Sequence, residues 1–97
     1  MTNEVVDILD IPEGTLRVEW ALGLPFIHLE LNVWSRDALR EYKRVWEDVK
    51  KGFKEQGHDT LYVVIPTGDD KLLRFERMFG FEIGETAPDH YVMYQEI

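Results

Sequence analysis

From Asp59 to Phe81 the chain reads DTLYVVIPTGDDKLLRFERMFGF, and this stretch limits the available folds more than any other. Leu61-Tyr-Val-Val-Ile65 is an apolar run of strand character that stops at Pro66, which has no N–H to continue a ladder. The run 60–65 lacks polar alternation, the pattern of a strand covered on both faces. A turn with Gly68 follows, and Thr67 with Asp70 reads as a capping box with Asp in place of Glu. Leu72, Phe75 and Phe79 then recur at helical spacing until Gly80 closes a short helix.

The segments on either side fit the same plan. Residues 4–11, EVVDILDI, read as a strand, and Pro12-Glu13-Gly14 as a turn. Leu16, Val18 and Trp20 alternate with Arg17 and Glu19. After Gly23 and Pro25, Ile27, Leu29, Leu31 and Val33 point inward, with His28, Glu30 and Asn32 on the other face. Residues 15–34 therefore form an antiparallel hairpin. Ser35 is an N-cap, and Leu39, Tyr42, Val45 or Trp46, Val49 and Phe53 make the apolar stripe of a long helix that ends at Gly57. Lys43, Glu47, Lys51 and Glu55 form an i,i+4 ladder on its outer side. Beyond the short helix, Phe81 and Ile83 begin a strand, Ala87-Pro88-Asp89 turns the chain, and Tyr91 to Tyr94 return antiparallel. The class is α/β (α+β): a mixed central sheet in the order β-β-β-α-β-α-β-β, with two helices and a right-handed crossover.

Ninety-seven residues make one domain, and a 44% hydrophobic fraction supplies its core. The formal charge of −8 argues against nucleic acid or an anionic membrane as partner. No cysteine means no disulfide and no thiolate metal site. The start, MTNEVVDILD, has no basic region before an apolar one, and no run is long enough to span a bilayer, so a soluble intracellular protein is expected.

The element order, with RFERMFGF at Arg74–Phe81, resembles the GNAT superfamily of N-acetyltransferases over roughly residues 15–97. The second helix of that family often reads N-x-x-A-x-x-x-Y-x-x-x-G-F. The fold's usual first helices have no counterpart here, so the resemblance implies a truncated version. The arrangement V-W-S…REYKR…DTLY…LLRF…G-F…Y at 33–91 is similar to the small GNAT-like phage proteins of podoviruses, whose relatives include the internal virion protein of that group. That resemblance implies a protein in the host-cell cytoplasm or associated with the virion, with a protein partner.

The resemblance also indicates where chemistry would sit. Acetyl-CoA-binding members hold the pyrophosphate on backbone N–H groups of an R/Q-x-x-G-x-G/A loop at the start of the long helix. Here that place reads Asn32-Val-Trp-Ser-Arg-Asp-Ala-Leu39, without glycine and with Asp37 opposing an anion. Aligned on Gly80-Phe81, the family's frequent Asn falls on Asp69 and its Tyr general acid on Glu76. The implied reading is a GNAT-like domain that lacks acetyl-CoA as a cofactor and works through protein contacts. The alternative is a minimal acetyl-CoA-dependent N-acetyltransferase, with Glu30 or Glu76 handling the proton and Trp34, Ser35 and Arg36 at the cofactor. A third is an acidic inhibitor that imitates DNA, if the acids line up in two rows on the folded surface.

Each candidate has a plainer explanation beside it. Glu30 is also an ordinary solvent-facing strand residue. His28, on the same face, could pair with it, although a lone strand histidine is more often structural. Ser35 lacks a nucleophile-elbow context and serves as a cap. Arg36 is the cation nearest that helix start and is otherwise exposed. Trp20, Trp34 and Trp46 suit a core better than a ligand cage. His58 is expected to be solvated, and His90 has Asp89 beside it. No three-ligand spacing for a metal appears.

Overall fold

In the computed structural model, which describes residues 4–97, Ser35 caps the long helix as its position predicts. Its Oγ accepts the Ala38 N–H at 3.1 Å, a contact worth about 1 kcal/mol. The helix, α1 (Arg36–Glu55), buries Ala38, Tyr42, Trp46 and Phe53. It ends in a Schellman motif: His58 N–H donates to the Phe53 carbonyl, Gly57 N–H donates to that of Lys54, and Gly57 has φ +95°. Ion pairs on its outer side close at three-residue spacing, Glu41–Arg44 and Glu47–Lys50, rather than along the expected i,i+4 ladder.

Six strands surround it in the chain: β1 (Glu4–Ile11), β2 (Gly14–Ala21), β3 (Leu24–Leu31), β4 (Thr60–Pro66), β5 (Glu82–Thr86) and β6 (His90–Glu96). They form one mixed sheet in the order β1-β2-β3-β4-β6-β5. The β3–β4 pair is parallel and its neighbours antiparallel, so the crossover through α1 and the order β-β-β-α-β-α-β-β are both as expected. Residues 1–3, part of the start read above for a leader, lie outside the described residues. Among the described residues no helix is long and apolar enough to cross a membrane.

The second helix, α2 (Asp70–Met78), begins two residues later than the capping-box reading implied. A turn at Gly68 (φ +93°) takes up Thr67, whose N–H donates to the Asp89 carbonyl. Asp69 is the cap, with its carboxylate accepting the Leu72 N–H at 3.1 Å. At the far end Gly80 (φ +98°) completes a second Schellman motif, with Phe81 N–H bonded to the Glu76 carbonyl.

Both helices lie on the same face of the sheet. Tyr42 and Trp46 of α1, Phe75 of α2 and Phe79 and Phe81 just after it join Leu16, Val18, Ile27, Val63 and Met93 in one buried cluster. This corrects the reading of 60–65 as covered on both sides. Leu61, Val63 and Ile65 are buried, but Tyr62 is half-buried and Val64 is 49% exposed. The run is uniformly apolar, so its polarity did not report its one-sided cover. Val33, expected inward, lies past the end of β3 and is exposed, because the chain has already left the sheet there.

Tyr42 links α1 to the hairpin by donating its hydroxyl to the Thr15 carbonyl. Gly14, beside it, has no room for a side chain: an added Cβ would collide with the Glu30 carbonyl and come 2.8 Å from the Tyr42 ring. Gly14→Ala is therefore expected to destabilise the fold by about 1–3 kcal/mol, as overpacking does. Gly52→Ala, in open space within α1, should stabilise it by about 0.5–1 kcal/mol. Urea denaturation midpoints moving in opposite directions would bear this out; two losses of similar size would contradict it.

Candidate functional site

Among the described residues β3 and β4 are in register only at Phe26↔Tyr62, whereas β2 and β3 stay paired from Gly14↔Leu31 to Ala21↔Leu24. The two parallel strands connect through α1, so no hairpin turn holds them together, and the seam opens beyond that pair. The result is a cleft of about 480 Å³. Thr15, Arg17, His28 and Glu30 line one wall, and Val63, Val64 and Ile65 the other. Leu72 and Glu76, one turn apart on α2, close its base from the covered side.

Glu76 is the unusual group. It is 2% exposed, and its Oε2 has no hydrogen-bond partner. Burial pushes its carboxyl up to about 8, so it carries a proton at neutral pH. A helical stripe that should read Leu-Phe-Phe thus has a carboxyl at a buried position. Tyr42 is close enough to feel it: burial, followed by the charges of Glu76 and Glu30, pushes the phenol up to about 12. The structure brings Glu30 and Glu76 to one cleft, with Glu30 exposed at the rim and Glu76 buried at the base.

The residues predicted for a cofactor lie apart from that base. Trp34 is 61% exposed, so it is neither core nor part of the main cleft. It meets Phe75 edge-on at 5.4 Å, with the Lys71 ammonium 5.8 Å from its ring, beside a smaller hollow that Glu30 and Leu72 share with the cleft. Lys71 is thus a second cation at this end besides Arg36, one that sequence separation concealed. Arg36, the first residue of α1, is exposed.

The start of α1 does not fit a pyrophosphate. The Ser35 hydroxyl already occupies the Ala38 N–H, Asp37 places a carboxylate in the first turn, and side chains stand where close backbone approach needs glycine.

Two histidine expectations need correction. His28 pairs with Glu19 at 3.0 Å, not with Glu30, because the Arg17↔His28 register sets Glu19 diagonally across from it. His58 is not simply solvated: it is half-buried against Trp20 (5.1 Å) and Phe53 (6.0 Å). His90 does pair with Asp89, at 2.6 Å.

The sheet order, the crossover and the opened parallel seam decide the comparison. The fold is GNAT-like. A Bacillus subtilis acetyltransferase solved in complex with CoA matches with TM-score 0.55 over 99% of this chain and 99% of its own, at 10% identity. A protein of Agrobacterium tumefaciens described as an acetyltransferase matches with TM-score 0.55 over 98% of this chain and 74% of its own, at 17% identity. No protein-family model and no curated sequence matches the chain. Within the GNAT-like frame, Glu76 lies at the base of the opened seam and Asp69 serves as a helix cap.

Glu76 makes stability depend on pH. Its folded value lies above the ordinary 4.5, so the folded chain keeps a proton that the unfolded chain releases. Its contribution is most favourable below 4.5, falls as pH rises to about 8, and is flat above. At about 1.4 kcal/mol per pH unit the loss has a ceiling of roughly 5 kcal/mol. Glu76→Gln should therefore leave stability at pH 4 nearly unchanged and raise it by a few kcal/mol at pH 8, within that ceiling. Chemical denaturation of both proteins across that range is the measurement, and parallel curves would refute it.

Proposed function

We propose that this domain uses the GNAT-like architecture as a binding scaffold and acts through protein contacts, without acetyl-CoA chemistry. The observation that carries this reading is the start of α1, where a side-chain cap and a carboxylate stand in place of glycines and free amides. An incoming pyrophosphate would meet Asp37 instead of the dipole-favoured N–H groups, with Arg36 as its nearest compensating charge on that helix. The pattern at 33–91 that resembles small podovirus proteins supports a virion-associated or host-directed setting for those contacts.

A second reading, an acetyl-CoA-dependent N-acetyltransferase, has specific support of its own. Glu76 bears a proton beside the exposed Glu30 in one cleft, and a neighbour of this fold holds CoA. Likeness of fold does not transfer that activity.

The two readings separate in a titration of isotope-labelled protein with acetyl-CoA, following the amides of Trp34 to Leu39. The scaffold reading expects no saturable shift at millimolar ligand and no turnover with an amine panel. Saturable shifts at micromolar ligand, with release of CoA, would replace it by the enzyme.

A further inference from the structure

The sheet has two edges, and they are unlike. β5 is five residues long, and its one large apolar side chain, Ile83, is half-buried. β1 is eight residues long, without Lys or Pro, and its Val5, Val6 and Ile8 are 53%, 39% and 38% exposed. Among the described residues no strand pairs with its outer row of backbone N–H and C=O groups, which makes that edge a template for a further strand. The helix α1 does not close over it either. A hollow of about 310 Å³, lined by Val6, Ile8, Val18, Trp20 and Phe53, lies between β1 and α1.

Residues paired in register share a side of a sheet. Val6, Leu9 and Ile11, opposite Val18, Leu16 and Gly14, lie on the side the helices cover. Val5, Asp7 and Asp10, opposite Glu19, Arg17 and Thr15, lie on the uncovered side. A bulge inserts Ile8 between Asp7 and Leu9, and Ile8 joins Val6 at the hollow. The extra residue reverses the alternation half-way along the strand.

Among registers within two residues of full overlap, β1 therefore matches an antiparallel copy of itself in one alone. Val6 then meets Leu9 of the second copy, Val5 meets Asp10 and Glu4 meets Ile11, with like sides together and no acid opposite an acid. A slip of one residue sets Val5 against Leu9 or Val6 against Asp10, which lie on opposite sides. A slip of two sets Val6 against Asp7, again on opposite sides, or Asp7 against Asp10. Parallel pairing in register would set Glu4, Asp7 and Asp10 each against its own like charge. At the centre of the matching register Asp7 meets Ile8, and it arrives already paired with Arg17 at 2.9 Å.

We propose that the chain forms a twofold dimer in which the β1 strands of two copies pair antiparallel, Val6 beside the partner subunit's Leu9 and Val5 beside the partner subunit's Asp10. The axis stands perpendicular to the sheet, between Asp7 and Ile8, and the interface is isologous. The self-match of the bulged strand is what selects a second copy over a strand of another protein. Pairing runs the sheet through both copies with all the helices on one side, and it sets the partner subunit's Ile8 and Leu9 beside the hollow. The seams between β3 and β4 stay open in both copies, so the inference does not depend on the scaffold reading.

Light scattering on the purified chain should give twice the monomer mass at micromolar concentrations, and β1 amides should gain hydrogen-exchange protection as concentration rises. Ile8→Lys, which brings two cations together at the axis, should raise the dissociation constant by at least about tenfold. Leu22→Lys, at the fully exposed tip of the β2–β3 turn, makes the same change in charge and should alter it by less than about twofold. Cross-linking reads the register, since the chain has no cysteine of its own. Val5→Cys combined with Asp10→Cys should oxidise to a covalent dimer, because opposed Cβ atoms lie about 5 Å apart. Within one chain the same two positions are about 17 Å apart, too far to bond. Asp7→Cys combined with Asp10→Cys, the slipped register, should stay largely uncrosslinked. A monomer at millimolar concentration, equal effects of the two Lys variants, or equally fast cross-linking of the slipped pair would overturn the proposal.

Discussion

The carbonyl of Phe79 fastens the covered side of the molecule. It stands at the C-cap of α2, where a helix leaves acceptors without intrahelical donors. Two side chains from other elements fill it: the Trp46 indole N–H of α1, at 3.2 Å, and the Gln95 amide of β6. Leaving such a buried acceptor empty would cost about 1–3 kcal/mol, and it would free three elements at once. The surrounding rings add to the restraint, with Tyr42 edge-on to Phe79 at 5.6 Å and Trp46 against Phe81 at 5.8 Å. Gly80 belongs to the same arrangement, since a Cβ there would strike the Gln95 amide. Because α1, α2 and β6 meet at one acceptor, both helices must share a face. Among the described residues, no helix is left for the other.

That one-sidedness separates what could be read in the sequence from what could not. The long helix was legible because Ser35, the stripe from Leu39 to Phe53 and Gly57 each report local geometry, and local geometry is what sequence spacing encodes. The order of elements along the chain followed from the same local signals. Cover was not legible. Tyr62 and Val64 are apolar in a strand whose outer face is open, and apolar character alone does not say whether anything lies over it. His28 with Glu19 and Lys71 with Trp34 depend on cross-strand register or on helix placement, so nine or more residues of separation hid them. Glu76 was reachable only by alignment on Gly80-Phe81. Its burial, which gives it chemical interest, depends on the packing of α2 against the seam.

The two ends of the GNAT-like cleft differ in electrostatic character. At the start of α1 the dipole still offers partial positive charge, yet Ser35 and Asp37 use or oppose it. At the base, Glu76 adds a carboxyl whose pKa burial raises to about 8. The opened seam is a property of the backbone, whereas its lining, with Arg17, His28, Glu30 and Glu76, is set by the side chains. Shape and charge thus separate cleanly here, which is how one fold can serve unrelated tasks.

The acids of the uncovered face are placed by strand register. Asp and Glu are disfavoured in strands, but no acid of the described strands stands in register opposite another, where like charges would destabilise the sheet. Asp10 and Glu30 both pair with Thr15, so β1 and β3 present carboxylates to the same stretch of β2. A face selected for solubility alone would mix signs, as α1 does with Glu41–Arg44 and Glu47–Lys50. Here the cations are confined to the helices, and the lone exception, Arg17, is spent on Asp7. Part of that arrangement is settled within the chain: Asp7 holds Arg17, Glu19 holds His28, and Glu82 accepts the Tyr94 hydroxyl across to β6.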